Sequence, residues 1–361
     1  MPETLKDRIK RHIEISGPLP LAEFMHWCMA DRHGGYYIAN NPIGREGDFI
    51  TAPEVSQMFG ELIGIWTLQT WKQIGSPKRF NLVEMGPGRG YLMRDLLRAT
   101  KVSEPFQDAV ETILVETSAQ LIKEQSVTLS GLPEIKWLGS INELPELPTI
   151  VIANEFLDVL PIRQYVKSGN NWCENCIGID KEGNLTWVLG SGSIHQQFLP
   201  NGHETEPEGA VFETSTVRES FIGELADFIG DVSGAALFID YGHLEPGFGD
   251  TFQALQDHTY VNPLSNPGHC DLTSHVDFAA LVRCLENTNL EVHPAVTQGE
   301  FLLSMGLLER AGSLGMGKSE TVQANLKSEA ERLALPDQMG NLFKVMAFST
   351  CAELEPFSNQ A

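Results

Sequence analysis

The chain has 361 residues, of which 42% are hydrophobic, and this length suits one large domain with insertions or two domains. Its 25 Lys and Arg stand against 48 Asp and Glu, a formal net charge of -23 that argues against a phosphate-binding surface and a nucleic-acid partner. No apolar run is long enough to cross a membrane, so we expect no membrane insertion. The start MPETLKDRIKRHIEIS lacks the apolar core of a secretory signal, and the expected location is the cytoplasm.

The cysteines and histidines give no convincing metal site. Six cysteines are scattered along the chain, which indicates reduced thiols rather than a disulfide framework. Cys173 and Cys176 are the only close pair, and a zinc ribbon would need a second pair, so chance spacing is favoured over metal. In the stretch HCDLTSHVD, Ser274 and Asp277 make a capping box before the helical pattern FAALVRCL, which is the simpler explanation of this cluster. We therefore predict no metal site.

Residues 1–79 predict a helical N-terminal region. The patterns LKDRIKRHIEIS and PLAEFMHWCMA predict helices, and a Gly-, Asn- and Pro-rich loop follows them. A further helix is predicted to begin at Thr51, with Glu54 completing a capping box and apolar residues recurring at helical spacing. Asp48 to Thr51 is a candidate lid loop for a binding site.

From Phe80 onward the pattern changes to short apolar strands that alternate with helical segments: FNLVEM, YLMRDLLRAT, TILVET, SAQLIKEQSVTL, EIKWLGS and TIVIAN. This alternation predicts an α/β fold with a doubly wound, mostly parallel sheet covered by helices on both faces. The predicted core spans residues 80–361, with a β-rich insertion at about 163–216 and a second insertion at about 244–335. The segments ALFIDYGH and GNLFKVMAFST supply further strands.

A glycine-rich loop stands between the first core strand and the first core helix, in VEMGPGRGYL. Gly86, Gly88 and Gly90 allow the backbone to turn sharply and to lie against a ligand with no Cβ in the way. A dinucleotide-binding fold is the alternative, but its fingerprint is G-x-G-x-x-G, whereas the spacing here is G-x-G-x-G. Glu84 precedes the loop, and a carboxylate suits an amino-bearing ligand better than a diphosphate.

The second core strand ends in Glu116, within LVETS. A carboxylate at the carboxyl edge of this neighbouring strand can accept hydrogen bonds from both hydroxyls of a ribose. Together with the glycine loop it indicates a nucleoside with a charged tail that is not a phosphate, and S-adenosylmethionine fits that description. The alternative is a tight strand-to-helix turn beside a surface acid.

The stretch IVIANEFLDVLP places polar residues directly after a buried strand. Asn154, Glu155 and Asp158 follow the apolar run, and the simplest alternative is a surface turn stopped by Pro161. If the chain turns helically after Asn154, the carboxylates of Glu155 and Asp158 share a face. Asp240, at the end of the next strand in FIDYGH, is a further candidate acid, with a loop cap as its alternative.

Several long blocks resemble, in the same order, the MidA-like family of class I methyltransferases, which includes a mitochondrial complex I assembly factor. The blocks are GDFITAPEVSQMFGELIGIW, LVEMGPGRGYLMRDLLR, ANEFLDVLP, FIDYGH and DLTSHVDF. The resemblance implies a Rossmann-like, S-adenosylmethionine-dependent fold, with Glu84, Gly86, Gly88, Gly90 and Glu116 as cofactor-binding residues. For the mitochondrial relative it implies symmetric dimethylation of an arginine in a complex I subunit.

An arginine acceptor suits the acids after the fourth core strand. A guanidinium stays protonated because its pKa exceeds about 12, so an enzyme must orient one nitrogen rather than simply remove a proton. Carboxylates take parallel N–H bonds from the planar fork. We therefore predict Glu155 as the principal clamp, Asp158 as the second, Asn154 as an orienting group and Asp240 as a further catalytic acid.

Other functions stay open at this point. The chain could be a small-molecule or other N/O-methyltransferase, because the glycine loop reads only the cofactor, or a non-catalytic assembly scaffold that binds S-adenosylmethionine. The partner expected from the resemblance is a protein substrate such as a complex I subunit. A Ser- and Arg-rich transit peptide is absent, so the expected location is a bacterial cytoplasm, with the mitochondrial matrix as the alternative for a processed chain.

Overall fold

The computed structural model describes residues 3–36 and 51–357. Of the candidate lid loop, Asp48 to Ile50 lie outside these residues. The helices are α1 Leu5–Ser16, α2 Leu21–Ala30, α3 Ala52–Val55, α4 Gln57–Gln73, α5 Tyr91–Thr100, α6 Glu104–Ala109, α7 Ala119–Thr128, α8 Thr216–Val232, α9 Phe278–Leu285, α10 Gln298–Ser304, α11 Leu307–Gly315, α12 Glu320–Ala334 and α13 Met339–Leu342. Short 3₁₀ turns lie at Ile141–Glu143 and Gln196–Phe198.

The strands alternate with helices through the middle of the chain and cluster between α7 and α8. They are β1 Leu19–Pro20, β2 Phe80–Met85, β3 Val110–Val115, β4 Ile135–Leu138, β5 Thr149–Asn154, β6 Arg163–Ser168, β7 Asn171–Ile179, β8 Leu185–Ser193, β9 Val211–Thr214, β10 Gly234–His243, β11 Gln253–Gln256, β12 Thr259–Tyr260, β13 Asp271–Thr273, β14 Val276–Asp277, β15 Glu291–Thr297 and β16 Phe343–Ser349. The predicted strands FNLVEM and TIVIAN are confirmed to the residue as β2 and β5.

The chain divides into two compact units. The first comprises residues 1–49, 158–221 and 245–281. It contains an antiparallel sheet in the order β1-β7-β6-β9, with β8 on the other edge of β7, and a small antiparallel sheet in the order β12-β11-β13. Apolar side chains of α1 and α2 form its main core together with residues of β7 and β13.

The second unit comprises residues 50–157, 222–244 and 282–361, and its sheet runs in the order β15-β16-β10-β5-β2-β3-β4. The five strands from β10 to β4 are mutually parallel, whereas β16 is antiparallel to both β10 and β15. All residues of β2 and β5 are buried, as expected for strands covered on both faces. The predicted α/β fold with a mostly parallel sheet is confirmed.

Close helix packing supports this sheet. Gly60 and Gly64 of α4 lie against α5, where a Cβ on Gly60 would stand 2.8 Å from Asp95 Cβ and one on Gly64 would stand 2.8 Å from the Leu96 carbonyl oxygen. The two helices can approach this closely only because glycine lacks a side chain. Since α5 begins directly after the glycine-rich loop, α4 supports the helix that extends from that loop.

Two helix starts differ from the predictions. Thr51 makes no side-chain capping bond, and the predicted single helix is broken at Ser56, which is extended with φ -156° and caps α4 through Met58 N at 3.2 Å. The α9 capping box predicted from Ser274 and Asp277 is also wrong: Asp277 Oδ1 accepts from Ala280 N at 2.9 Å, while Ser274 Oγ accepts from Arg218 at 2.6 Å. Ser56 and Ser274 each make hydrogen bonds that the local sequence pattern does not predict: Ser56 caps α4, and Ser274 bonds to the distant Arg218.

Within residues 3–36 and 51–357, none of the helices combines the length and the apolar character of a membrane span. No group of His, Cys, Asp and Glu side chains in these ranges is arranged to hold a metal ion.

Candidate active site

The strand order places a switch point between β2 and β5. From β2 the chain runs outward to β3 and β4 on one side, and it then crosses to β5 and β10 on the other. In open α/β sheets a crevice forms at the carboxyl ends of the two strands where the order reverses, and ligands bind there. The segments that leave these two strand ends are the glycine-rich loop and the stretch that begins with Asn154.

The glycine-rich loop has a backbone that side chains would not tolerate. Gly86, Gly88 and Gly90 all have left-handed φ values, of 56°, 52° and 82°. A Cβ on Gly86 would stand 2.9 Å from Cδ2 of Phe156, so the loop and the segment after β5 lie in direct contact. Conformation and space therefore both require glycine at Gly86.

Glu84 is a buried acid on β2, just before this loop. Burial raises the pKa of its carboxyl to about 8, although the backbone N–H of Met93 donates to it. Its Oε2 atom is buried and has no hydrogen-bond partner among the described residues. An acceptor in this condition favours a donor from a bound ligand, because a buried polar atom without a partner is costly.

Glu116 lies after β3 and its carboxylate is held by several donors. Oε1 accepts from the backbone N–H groups of Thr117 at 2.8 Å and Ser118 at 2.7 Å, and Oε2 accepts from Gln125 Nε2 at 3.2 Å. Burial raises the pKa of Glu116, and these hydrogen bonds counter part of that effect. The carboxylate is thus oriented before any ligand arrives.

Gln125 of α7 connects Glu116 to the glycine loop. Its Nε2 atom also donates to the carbonyl oxygen of Gly88 at 2.8 Å, while its Oε1 atom accepts from Trp137 Nε1 at 2.8 Å. Gln125 is completely buried, and both polar atoms of its side chain are hydrogen-bonded. The glycine loop and the predicted ribose acid are therefore joined by one side chain.

Asn154 and Glu155 follow β5 at the same edge of the sheet. Glu155 Oε1 accepts from Asn154 Nδ2 at 3.1 Å and from the backbone N–H of Ala52, the first residue of α3, at 3.2 Å. Asn154 is buried, and its Oδ1 has no partner among the described residues. Glu155 has φ 51°, a left-handed conformation that costs a non-glycine residue free energy and is found preferentially at functional sites.

The structure corrects the expectation that Glu155 and Asp158 share a helical face. The left-handed Glu155 ends the extended strand, and residues 155–160 form bends and a turn instead of a helix. Asp158 is buried and belongs to the first compact unit, where its carbonyl oxygen accepts from Ser274 N at 3.1 Å and from Arg218 at 3.0 Å. The role of Asp158 as a second clamp stays a prediction, but the shared helical face that suggested it is not present.

Asp240 on β10 lies beside the segment that carries Glu155. Its Oδ2 atom accepts from the backbone N–H groups of Phe156 at 3.2 Å and Leu157 at 2.9 Å, and its Oδ1 atom accepts from Tyr241 N at 3.0 Å. Asp240 is almost fully buried. These bonds match the loop-cap alternative and make Asp240 a positioning group for the turn after β5, while its direct role toward an acceptor stays a prediction.

These residues fit a ligand that carries hydrogen-bond donors at two places. Glu84 Oε2, which has no partner among the described residues, suits an ammonium group, and the oriented Glu116 carboxylate suits a pair of hydroxyls. Between these two acids along the chain, the left-handed Gly86, Gly88 and Gly90 present backbone that carries no side chains. An amino acid joined to a ribose has this pattern of donors, as S-adenosylmethionine does.

Sequence reasoning missed the residues that hold the site together. Gln125, Ala52 and Phe156 contact predicted site residues, and Trp137 donates to Gln125. Phe156, in ANEFLDVLP, and Ala52, in GDFITAPEVSQMFGELIGIW, lie in blocks that the sequence analysis singled out, but neither was named as a site residue. The others act through contacts between distant parts of the chain, and no local motif marks them.

A separate cavity lies in the second unit, between α10, α11 and α12. Its volume is about 810 Å³, and apolar residues such as Leu303, Leu308 and Leu326 line it. None of the predicted site residues lines this cavity. It is therefore distinct from the residues around the glycine loop.

Comparison with known proteins agrees with this geometry. Residues 62–296 match the model of a family of S-adenosyl-L-methionine-dependent methyltransferases. The chain belongs to this family. Its cofactor is therefore S-adenosylmethionine, and the predicted fold and family are confirmed.

Named relatives cover most of the chain. The "Protein arginine methyltransferase NDUFAF7 homolog, mitochondrial" of Drosophila melanogaster is 34% identical over 95% of this chain and 84% of that protein. The "Protein arginine methyltransferase NDUFAF7, mitochondrial" of Homo sapiens is 33% identical over 93% of this chain and 81% of that protein. A Burkholderia thailandensis protein crystallised with S-adenosyl-homocysteine is 26% identical, with a TM-score of 0.82 over 96% of this chain and 91% of that one.

Proposed function

We propose that this methyltransferase is a protein arginine N-methyltransferase that forms symmetric dimethylarginine. The observation that carries the proposal is Glu155, a strained residue at the carboxyl end of β5 whose carboxylate is held by Ala52 N and Asn154 Nδ2. The relatives named as protein arginine methyltransferases, from fruit fly to human, support the same acceptor. We propose a respiratory complex I subunit as the substrate protein, in line with the family resemblance.

In this proposal the chain's own residues divide into two groups. Glu84, Gly86, Gly88 and Gly90 hold the amino-acid end of S-adenosylmethionine, and Glu116 holds its ribose. When bound, the cofactor supplies a methyl group on a positively charged sulfur. Glu84 Oε2, which has no partner in residues 3–36 and 51–357, can accept from the ammonium group, which would lower the raised pKa of this carboxyl and favour its ionised form.

The second group acts on the acceptor. Glu155 accepts N–H bonds from the guanidinium and orients one nitrogen toward the methyl group, and Asn154 Oδ1 supplies a further acceptor. Orientation is the main contribution expected, because a well-aligned reaction gains roughly 7 to 11 kcal/mol over an unaligned one. A fixed carboxylate also stabilises positive charge that develops on the acceptor nitrogen.

Asp158 stays a second candidate acid, and the insertion at residues 244–335 is the proposed acceptor-binding region.

The test is a comparison of methylated arginine across the proteome. A deletion strain is complemented with the wild-type gene or with Glu155→Gln, and peptides with symmetric dimethylarginine are quantified by mass spectrometry. The proposal predicts sites that disappear in the deletion strain, return with the wild-type gene and stay absent with Glu155→Gln. Unchanged arginine methylation in the deletion strain would show that the acceptor is another group.

The other functions make different predictions. A small-molecule methyltransferase would leave all protein sites unchanged in that experiment and would show turnover with a low-molecular-weight acceptor. A non-catalytic scaffold would bind S-adenosylmethionine without any methylated product. The named relatives are mitochondrial, which supports the mitochondrial-matrix location over the expected bacterial cytoplasm.

A further inference from the structure

The four-residue helix α3 meets three other parts of its compact unit. At its start, Ala52 N donates to Glu155 Oε1 at 3.2 Å. In its middle, the Glu54 carboxylate lies 4.0 Å from the guanidinium of Arg89, which stands between Gly88 and Gly90 in the glycine loop. At its end, Ser56 joins it to α12. The hydrogen bond to Glu155 is the closer of the first two contacts, so the position of α3 bears mainly on the carboxylate of Glu155.

Ser56 is a buried residue that makes two bonds with one hydroxyl. Its Oγ accepts from Met58 N at 3.2 Å and donates to Glu329 Oε2 of α12 at 2.7 Å. The backbone at Ser56 is extended, so helical hydrogen bonding does not continue from α3 into α4. With that continuity broken, the bond to Glu329 is a direct polar link that holds the end of α3.

We propose that Ser56 and Glu329 are positioning residues for methyl transfer, because they hold α3 where Ala52 N orients the carboxylate of Glu155. The inference rests on the proposed role of Glu155. Neither residue touches the cofactor or the acceptor in this account. Glu329 is far from Glu155 in the sequence and acts on it only through α3.

Loss of the Ser56–Glu329 bond leaves α3 free to shift, and the hydrogen bond from Ala52 N to Glu155 Oε1 is then weakened. A small misplacement of a reacting group lowers the rate by about 10- to 100-fold. The cofactor residues Glu84, Glu116 and Gln125 make their contacts without α12, so S-adenosylmethionine affinity is expected to change little.

The variants separate the hydrogen bond from the bulk of the side chain. Glu329→Met keeps the length of the side chain and removes the acceptor, whereas Glu329→Gln keeps an acceptor oxygen for Ser56. Glu331→Met is the matched control, because Glu331 is an exposed residue of the same helix that pairs only with Lys327, at 3.6 Å, among the described residues. Ser56 itself is unsuitable, since its substitution would also remove the cap of α4.

Three quantities are measured on the full-length protein: hydrogen exchange of peptic fragments that contain Ala52, affinity for S-adenosylmethionine, and kcat with the protein whose methylarginine is lost in the deletion strain. The proposal predicts that Glu329→Met speeds exchange at Ala52 and lowers kcat about 10- to 100-fold with nearly unchanged cofactor affinity. Glu329→Gln should keep the exchange rate at Ala52 and kcat close to the wild-type values. Glu331→Met should behave as the wild type.

Two results would overturn the inference. One is unchanged exchange at Ala52 in Glu329→Met, and the other is faster exchange with unchanged kcat. Failure of the proposed function is distinguishable, because it appears as absence of arginine methylation by the wild-type protein. The exchange comparison then still decides whether Glu329 holds α3 against Glu155.

Discussion

Glu84 and Gln125 show how single buried side chains prepare the cofactor site. Glu84 carries an acceptor without a partner among the described residues, and Gln125 joins the glycine loop to Glu116. The sequence pointed to Glu84 because an acid precedes the glycine motif. It gave no sign of Gln125, since a glutamine on a helix is usually exposed and only the fold turns this one inward.

The raised pKa of Glu84 predicts that cofactor binding releases a proton. Burial raises this pKa from 4.5 to about 8, so at pH 7 the unbound protein holds mostly the protonated form. A bound ammonium group favours the ionised form, and the proton leaves on binding. Calorimetry at pH 7 in buffers of different ionisation enthalpy measures this release, which should shrink above about pH 8 and be smaller in Glu84→Gln. Equal release by both proteins would contradict the assignment.

The same pKa has a consequence for the unbound protein. The folded state binds the Glu84 proton more tightly than the unfolded state, so this contribution to stability is complete below about pH 4.5 and is lost as the pH rises to about 8. Thermal unfolding measured across this range should show a smaller decline for Glu84→Gln than for the wild type. A parallel decline in both proteins would assign the pH dependence to other groups.

Gln125→Met should weaken S-adenosylmethionine binding about tenfold or more, because the glycine loop and Glu116 each lose a donor and Trp137 Nε1 loses its acceptor. Isothermal titration of the cofactor measures this effect. The matched control is Gln120→Ala, at an exposed position of the same helix α7. If Gln125→Met binds as tightly as Gln120→Ala, the link between loop and acid has no part in binding.

At the scale of elements, the glycines of α4 set the distance to α5. A Cβ on Gly60 would stand 2.8 Å from Asp95 Cβ and 3.1 Å from the Leu92 carbonyl oxygen, so the helices would have to separate. Because α5 continues directly from the glycine-rich loop, this packing also supports the cofactor site. Sequence periodicity predicted one continuous helix here and could not locate the break at Ser56, which is stabilised by a residue far along the chain.

Gly60→Ala should lower the free energy of unfolding by about 1–3 kcal/mol through overpacking. Gly223→Ala, in α8, is the matched control, because a Cβ there meets nothing within 4 Å. This second change should stabilise the protein by up to about 1 kcal/mol, since alanine is the better helix former. Denaturant unfolding of both variants checks the prediction, and equal destabilisation would mean that the α4–α5 approach is not tight.

For the whole molecule, the sequence predicted the alternating core, the glycine loop and the cofactor class because these follow from local chemistry. Buried strands are continuous apolar runs, and left-handed turns require glycine. The conformation after β5 was not predictable in this way. A left-handed Glu155 followed by a turn depends on Asp240, which holds Phe156 N and Leu157 N from a strand distant in sequence.

Glu155→Gln separates the two proposed groups of residues when cofactor binding and methyl transfer are both measured on it. We expect this variant to bind S-adenosylmethionine like the wild type, because Glu84, Glu116 and the glycine loop are intact, and its arginine methylation to fall at least about 100-fold. Asp158→Asn, measured in parallel, shows whether the second acid contributes. Full methyl transfer by Glu155→Gln would show that the Glu155 carboxylate does not orient the guanidinium.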